Sequence, residues 1–505
     1  MPLVPAWGAR AQGRDDGSGD MGIMNGIMRR RRIATAAPLA ALALLASCGG
    51  GGGDDAPPPP PPNQAPRFTS AATASFEENG TDIVYRAAAS DAEGGAVSFS
   101  IAGGADAARF RIAANGELRF VSPPNFDLPG DANADNVYEV QLQASDGSAS
   151  SSLALRISVT NSTEGVIVRR IATGFVDPVA VAPTSQSLGV ILVAEKNGAI
   201  YRVTVATGAS EHLITIPGVG GVGVVAIAAA QDYASSGEFY VMYATGGGLV
   251  LNEFGQRTGR PVSQYGFPLI SMPAPDYAGG GWIYIDGGSL MVGVGDAGGT
   301  GDPTGSAQSS VTLLGKIIRF DPNPDPYAGA SPLFYLSTVI ARGLHRPVGG
   351  NLHASDAWLV VDVGEETADE ATLLRGIGPG KNFGWPFKEG SKLVRGTPPS
   401  GLVEPALEHA RTAGAEGPAL IGVALSWSQQ DYVLMDRSAN VHVVPRSSVR
   451  PGAALPLSNF DRRTADFVPD RGRIDRPVQI QSNLNSKIYI VDGDGEIFEA
   501  ELPGR

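Results

Sequence analysis

Cysteine is nearly absent: Cys48 is the single one in 505 residues, so no internal disulfide can form. Histidine is scarce, with His212, His345, His353, His409 and His442 making up the full set. Any imidazole chemistry must be assigned to one of these five. No basic stripe is present. Lys and Arg number 38 against 51 Asp and Glu, a net charge of −13, which argues against a nucleic-acid partner. No amphipathic helical pattern of any length appears, so a helical fold is excluded. Beyond the N-terminal leader no apolar run reaches roughly 18 residues, so no further membrane-spanning helix is expected.

Glycine and short β-rich runs fill the space left by these absences. The length exceeds one ordinary core and implies about two or three domains. Arg29 to Arg32 form a positive n-region, residues 34–46 form an apolar h-region too short to span a bilayer, and Leu45-Ala46-Ser47-Cys48 closes it. This leader resembles a bacterial lipobox, which implies lipidation of Cys48 and a location in the cell envelope. The alternative is an ordinary secretory leader with an incidental cysteine. Gly49, where Asp would mark inner-membrane retention, favours the outer membrane. Translation starts at Met1, Met21, Met24 or Met28. Residues 49–63, GGGGGDDAPPPPPPN, read as a flexible then extended tether.

Residues 64–163 carry short alternating runs at 83–87, 97–101, 116–120, 138–144 and 153–159, separated by Gly, Asn, Asp and Pro. Evenly spaced short strands with such breakers predict a β-sandwich. The wording Ala65-Pro66-Arg67-Phe68, Phe76-Glu77-Glu78-Asn79, Ala89-Ser90-Asp91-Ala92-Glu93-Gly94 and Ala144-Ser145-Asp146-Gly147 resembles a bacterial cadherin-like repeat. That resemblance implies calcium ligation by Glu77, Glu78, Asp91, Asp127 and Asp146, since calcium takes about six to eight oxygens. The repeat ends without the acidic linker that completes inter-repeat sites. The alternative is a spacer whose acidic loops are solvated.

Residues 166–502 repeat one theme of Val-, Ile- and Tyr-rich strands with Gly, Asp and Asn turns. At 282–285 and 290–294 two apolar runs flank a DGG turn, a hairpin signal. A Gly/Asp loop at 295–303 and a third strand at 314–320 follow. The final stretch, KIYIVDGDGEIFEAEL, is another hairpin, and residues 166–171 are the candidate strand for closing a ring of blades.

The segment GDAGGTGDP…AQ…LLGKIIRFD, with Asp362-Val363-Gly364 before Glu370 and Gly380-Lys381-Asn382-Phe383-Gly384-Trp385-Pro386, resembles the soluble quinoprotein glucose/sorbosone (aldose sugar) dehydrogenases. The resemblance implies an all-β chain in which a cadherin-like β-sandwich precedes a six-bladed β-propeller. It also implies pyrroloquinoline quinone (PQQ) and Ca2+ at the channel mouth, and oxidation of aldoses to lactones. Asp296, Asp302 and Glu370 fall on matching positions and are the propeller's metal candidates. Asp296 and Asp302 could equally cap turns.

Three departures bear on chemistry. The family's general-base His aligns with Ala278, or with Tyr277 after a shift of one. A methyl takes no proton, and a phenol is a poor base at neutral pH. The family's GLRNP reads Gly343-Leu344-His345-Arg346-Pro347 here, so His345 is the best-placed substitute base and His345 with Arg346 the cofactor contacts. No replacement is evident near Ala424-Leu425-Ser426-Trp427 for a further cofactor arginine. Two functions follow. One is an anchored aldose dehydrogenase facing the periplasm or exterior. The other is a non-catalytic, calcium-dependent surface module binding a glycan or a protein.

Overall fold

The computed structural model describes residues 61–184, 189–255, 262–264, 268–274, 277–321 without 287, 336–354, 357–376, 378–411, 419–482 and 487–503. Cys48 and nearly all of the leader and tether lie outside these residues. The chain divides into two compact units, Met1–Pro62 and Asn63–Arg505. The regular structure of the second unit is almost all strand, its one α-helix among the described residues being Tyr233–Ser236. No described helix is long and apolar enough to cross a membrane.

The first part of that unit has two main sheets over one core. Thr73–Glu77, Ser150–Thr160, Val137–Ser145 and Ser98–Gly103 form one, and Tyr85–Arg86, Glu117–Phe120 and Phe110–Ile112 the other. Val137–Ser145 alternates as its sequence demands, with Tyr138, Val140, Leu142 and Ala144 inward and the residues between them turned outward. The Tyr138 ring meets Phe120 edge-on at 5.0 Å.

From Ile167 onward the described residues form six sheets of four or five strands. The first strand of each touches the first of the next: Pro178–Pro183, Val219–Ala229, Gly281–Asp286, Arg346–Ala354, Leu420–Leu425 and Pro477–Ser482, the last returning to the first. This closed ring is a β-propeller. Strands buried on both faces read as continuous apolar runs rather than alternating ones, and Ser289–Val294 and Ala357–Val363 are buried along their whole length. Ile167–Thr173 pairs antiparallel with Glu496–Glu501, so the N-terminal strand closes the last sheet. The third strand of the Gly281 sheet is Lys316–Asp321, starting two residues later than expected. Gly315 delays it. Its φ is +69°, and a Cβ there would lie 2.5 Å from Ala307 Cα.

One arginine joins the two parts. Arg463 is 1% exposed. Its Nη2 lies 2.7 Å from Asp466 Oδ2 and 3.0 Å from Glu164 Oε2, and its Nε lies 3.4 Å from Asp127 Oδ2. Asn125 donates to Asp461 (3.0 Å) and Asn161 to Asp466 (2.7 Å) across the same joint. Removing one partner of a buried charge network leaves the others unpaired. Arg463→Met is therefore expected to cost about 3–5 kcal/mol in urea unfolding. It should also open the segment from Thr160 to Ile167 to limited proteolysis. Unchanged stability and cleavage would show that the joint is held elsewhere.

Candidate functional site

Between the sheets that begin at Gly281 and Arg346 lies a cleft of about 330 Å³. Ala278, Gly279, Gly298, His345, Arg346 and Arg411 contribute to its wall. Its geometry begins with Asp362, fully buried at the end of Ala357–Val363. Asp362 Oδ2 accepts from His345 N (2.9 Å) and Oδ1 from Arg346 N (2.7 Å). His345 O in turn accepts from Asp296 N at 3.0 Å, tying the loop after Val294 to the same segment.

The imidazole of His345 is fixed on two sides. Nδ1 lies 2.7 Å from Val363 O. A carbonyl only accepts, so Nδ1 carries the proton and, in the neutral ring, Nε2 keeps its lone pair. The ring packs on Trp385, centroids 4.4 Å apart, and Trp385 Nε1 donates to Asp296 Oδ2 at 2.7 Å. Asp296 is raised by burial and lowered by the nearby His345.

Two arginines, Arg346 and Arg411, and one acid, Glu365, which pairs with Arg395 at 2.7 Å, bring charge to the cleft. The Nε of Arg346 is buried without a hydrogen-bond partner, and burial together with Arg437 and Arg411 lowers the Arg346 pKa. Arg411 donates to Gly364 O and lies 3.4 Å from Asp369 Oδ1. Arg411 is reached because Ala368–Arg375 pairs with Leu407–Ala410, a non-local register that no local motif announces. It supplies a cation where the sequence reading found none near Trp427. Trp427 itself is exposed in the turn after Leu420–Leu425.

The alternative register is settled by packing. Tyr277 is buried, its hydroxyl donating to Gly280 O (2.5 Å) and accepting from Gly295 N (3.0 Å), and burial raises its pKa. It is a structural tie, and Ala278 is the residue at the cleft. Gly298 faces it with φ +95°, and a Cβ there would approach Ala278 Cβ to 3.1 Å.

The metal candidates are dispersed. Asp296 accepts from Gly298 N (2.8 Å) as well as from Trp385, and Asp302 accepts from Ser306 N (2.8 Å) and Ala307 N (2.9 Å). Glu370, in another sheet, accepts from Gly390 N (2.8 Å), and burial raises it. The expectation that Glu77, Glu78, Asp91, Asp127 and Asp146 cluster is corrected. Glu78 accepts from Phe126 N (2.7 Å) and Ser162 N (2.9 Å) near Asp127, and burial raises Asp127 to about 7. Asp91 and Asp146 sit about 30 Å away at the far end of the nine-residue strand Val137–Ser145. There Asp91 caps its turn at Gly95 N and Asp146 accepts from Asn63. Glu77 points outward on its strand. Among the described residues, Asp475, Asp492 and Asp494 alone form a group of three carboxylates close enough to share an ion.

The other four histidines lie outside the cleft lining. His212 contacts Thr215 (2.9 Å), His353 contacts Tyr432 (3.0 Å), His409 lies 3.9 Å from Asp436, and burial lowers His442 to about 4.

Residues 175–421 match the family model described as Glucose / Sorbosone dehydrogenase. Among solved structures, the PQQ-bound aldose sugar dehydrogenase from Streptomyces coelicolor is similar at TM-score 0.50 and 23% identity, covering 67% of this chain and 98% of that one. A glucose dehydrogenase is similar at TM-score 0.50 and 20% identity, covering 67% and 99%. These likenesses concern the fold. The HIPL1 protein of Arabidopsis thaliana is 28% identical over 145 residues, 25% of this chain and 20% of that protein. The match thus spans about a fifth of that curated relative.

The donor set fits PQQ in part. Arg346 and Arg411 suit the carboxylates of a planar quinone, and the glycine wall leaves room for a ring. Ala278 provides no base. Burial pushes Asp362 up to about 8, although its two N–H bonds and Arg346 pull it down. Its folded-state pKa therefore lies above the ordinary 3.8, and the folded protein binds this proton where the unfolded chain does not. Stability from this group is full below about pH 4 and is lost as pH rises through about 8. In Asp362→Asn the amide NH2 faces one of the two backbone N–H groups. A loss of about 1–3 kcal/mol is expected. Urea unfolding at pH 5 and pH 8 should also show a weaker pH dependence than in the wild type.

Proposed function

We propose that this chain is an envelope quinoprotein that oxidises the anomeric carbon of an aldose to a lactone. The carrying observation is the His345 Nδ1 contact with Val363 O, which leaves Nε2 as the accepting nitrogen of the neutral ring, at a cleft that Arg346 and Arg411 also line. PQQ, when bound, supplies the acceptor for the hydride. Arg346 and Arg411, which line the cleft, would hold its carboxylates. His345 Nε2 takes the proton of the anomeric hydroxyl, and the resulting imidazolium keeps its Nδ1–H on Val363 O while Asp296 stabilises its charge. Trp385 and Asp362 keep the ring and its backbone in place.

The wider reading is an anchored six-bladed propeller behind a cadherin-like sandwich at residues 64–163. The ring of first strands and the two-sheet N-terminal core support it. Cys48 carries the lipid, the tether spans 49–63, and the outer membrane is the destination. Ala278 favours a second reading, in which the cleft binds a glycan or a cell-surface protein without chemistry.

Calorimetric titration of PQQ into the full chain in detergent with calcium separates the two. Micromolar or tighter binding is expected, weakened at least tenfold in Arg346→Gln. Dye reduction with aldoses should be abolished in His345→Ala and raised in Ala278→His. Absence of PQQ binding leaves the second reading. Cys48→Ala should move the protein from the membrane to the soluble fraction, and persistence in the membrane fraction would discount lipid anchoring.

A further inference from the structure

A second cavity, of about 320 Å³, lies on the outer side of the segment that runs into His345. Val311, Leu313 and Val339 give it apolar walls, and Arg342 and Lys381 give it two cations. Val311 is 94% and Val339 36% exposed, so apolar surface faces solvent here. Among the described residues no carboxylate pairs with Arg342 or Lys381. Lys316 braces the wall. Lys316 is buried and spends its ammonium on three carbonyls, Ser306 O (2.7 Å), Ala307 O (3.1 Å) and Leu314 O (2.6 Å). Those bonds hold the loop that carries Val311 and Leu313.

We propose that this cavity is a second ligand site, separate from the cleft, for a small aromatic or alicyclic anion bearing a carboxylate or sulfonate. Its size lies near the lower end of small-molecule pockets, roughly 300 Å³. That volume admits a compact ring system. The ring rests on Val311, Leu313 and Val339, and the acid meets Arg342 and Lys381. A neutral ring gains only the apolar contact, and an inorganic anion only the charge. The combination therefore selects for both on one molecule. Arg342 precedes His345 by three residues, at most about 11 Å of backbone, so a ligand seated here adjoins the segment that sets the imidazole.

Anilinonaphthalene sulfonate is a suitable probe, titrated by fluorescence into the full chain in detergent with a detergent-only blank. Saturable binding at one site is expected, weakened at least tenfold in the double variant Arg342→Gln, Lys381→Gln. Val311→Asp, an exposed position where folding is not at risk, should weaken it similarly by repelling the anion. Naphthalene methanol, the neutral analogue, should compete poorly. Arg346→Gln in the cleft should leave the affinity unchanged. Equal affinity in the wild type and the Arg342/Lys381 variant, or loss in Arg346→Gln instead, would overturn the assignment.

Discussion

The candidate cleft of this molecule depends on a buried carboxylate holding two consecutive backbone N–H groups. Asp362 binds His345 N and Arg346 N just where a first strand begins and its ladder partners run out. Buried N–H groups at such a point need an acceptor. The device recurs around the ring. Glu195 takes Val176 N at 2.8 Å, and Asp492 takes Asp475 N at 2.9 Å and Arg476 N at 3.0 Å. In each case an acid at or near the end of a second strand ties down the residues that precede or open its own first strand. The tie therefore belongs to the scaffold. What makes one instance a candidate site is the pair it holds, a histidine and an arginine beside a glycine-walled cleft.

This placement changes the meaning of the chain's acidity. A net charge of −13 reads from composition as solubility or calcium capture. Many of these acids are instead interior: Asp362, Asp369, Glu370, Asp436 and Asp492 are all buried. Backbone N–H groups meet them, as at Leu420 N to Asp369 and Ser438 N to Asp436. A carboxylate satisfied in this way organises turns, and its desolvation is offset by the donors that would otherwise be orphaned.

The same logic governs the joint between the N-terminal sheets and the ring. Glu78 and Asp127 look like calcium ligands in their motifs, yet here Asp127 lies at the guanidinium of Arg463 together with Glu164 and Asp466, and Glu78 is taken up by Phe126 N and Ser162 N. Arg463 comes from the ring, more than three hundred positions along the chain from Asp127. An arginine with a planar fork of donors suits several carboxylates at once.

Much of the strand pattern was legible in the chain itself, because period-two alternation, apolar runs and Asp-Gly turns are local signals. The hairpin of Gly281–Asp286 and Ser289–Val294 and the closing strand Ile167–Thr173 lie where the sequence placed them. The loss of the expected base at Ala278 and the His345-Arg346 pair were also visible as residue identities. Local pattern could not say which of Tyr277 and Ala278 faces the cleft, because burial of the phenol decides that. Nor could it bring Arg411 beside Arg346, choose the tautomer of His345, or turn Asp127 toward Arg463. By itself the sequence determined which segments are strands and which groups could react. Only the tertiary structure decided which of those groups meet, because each meeting rests on hydrogen bonds and packing between residues far apart along the chain.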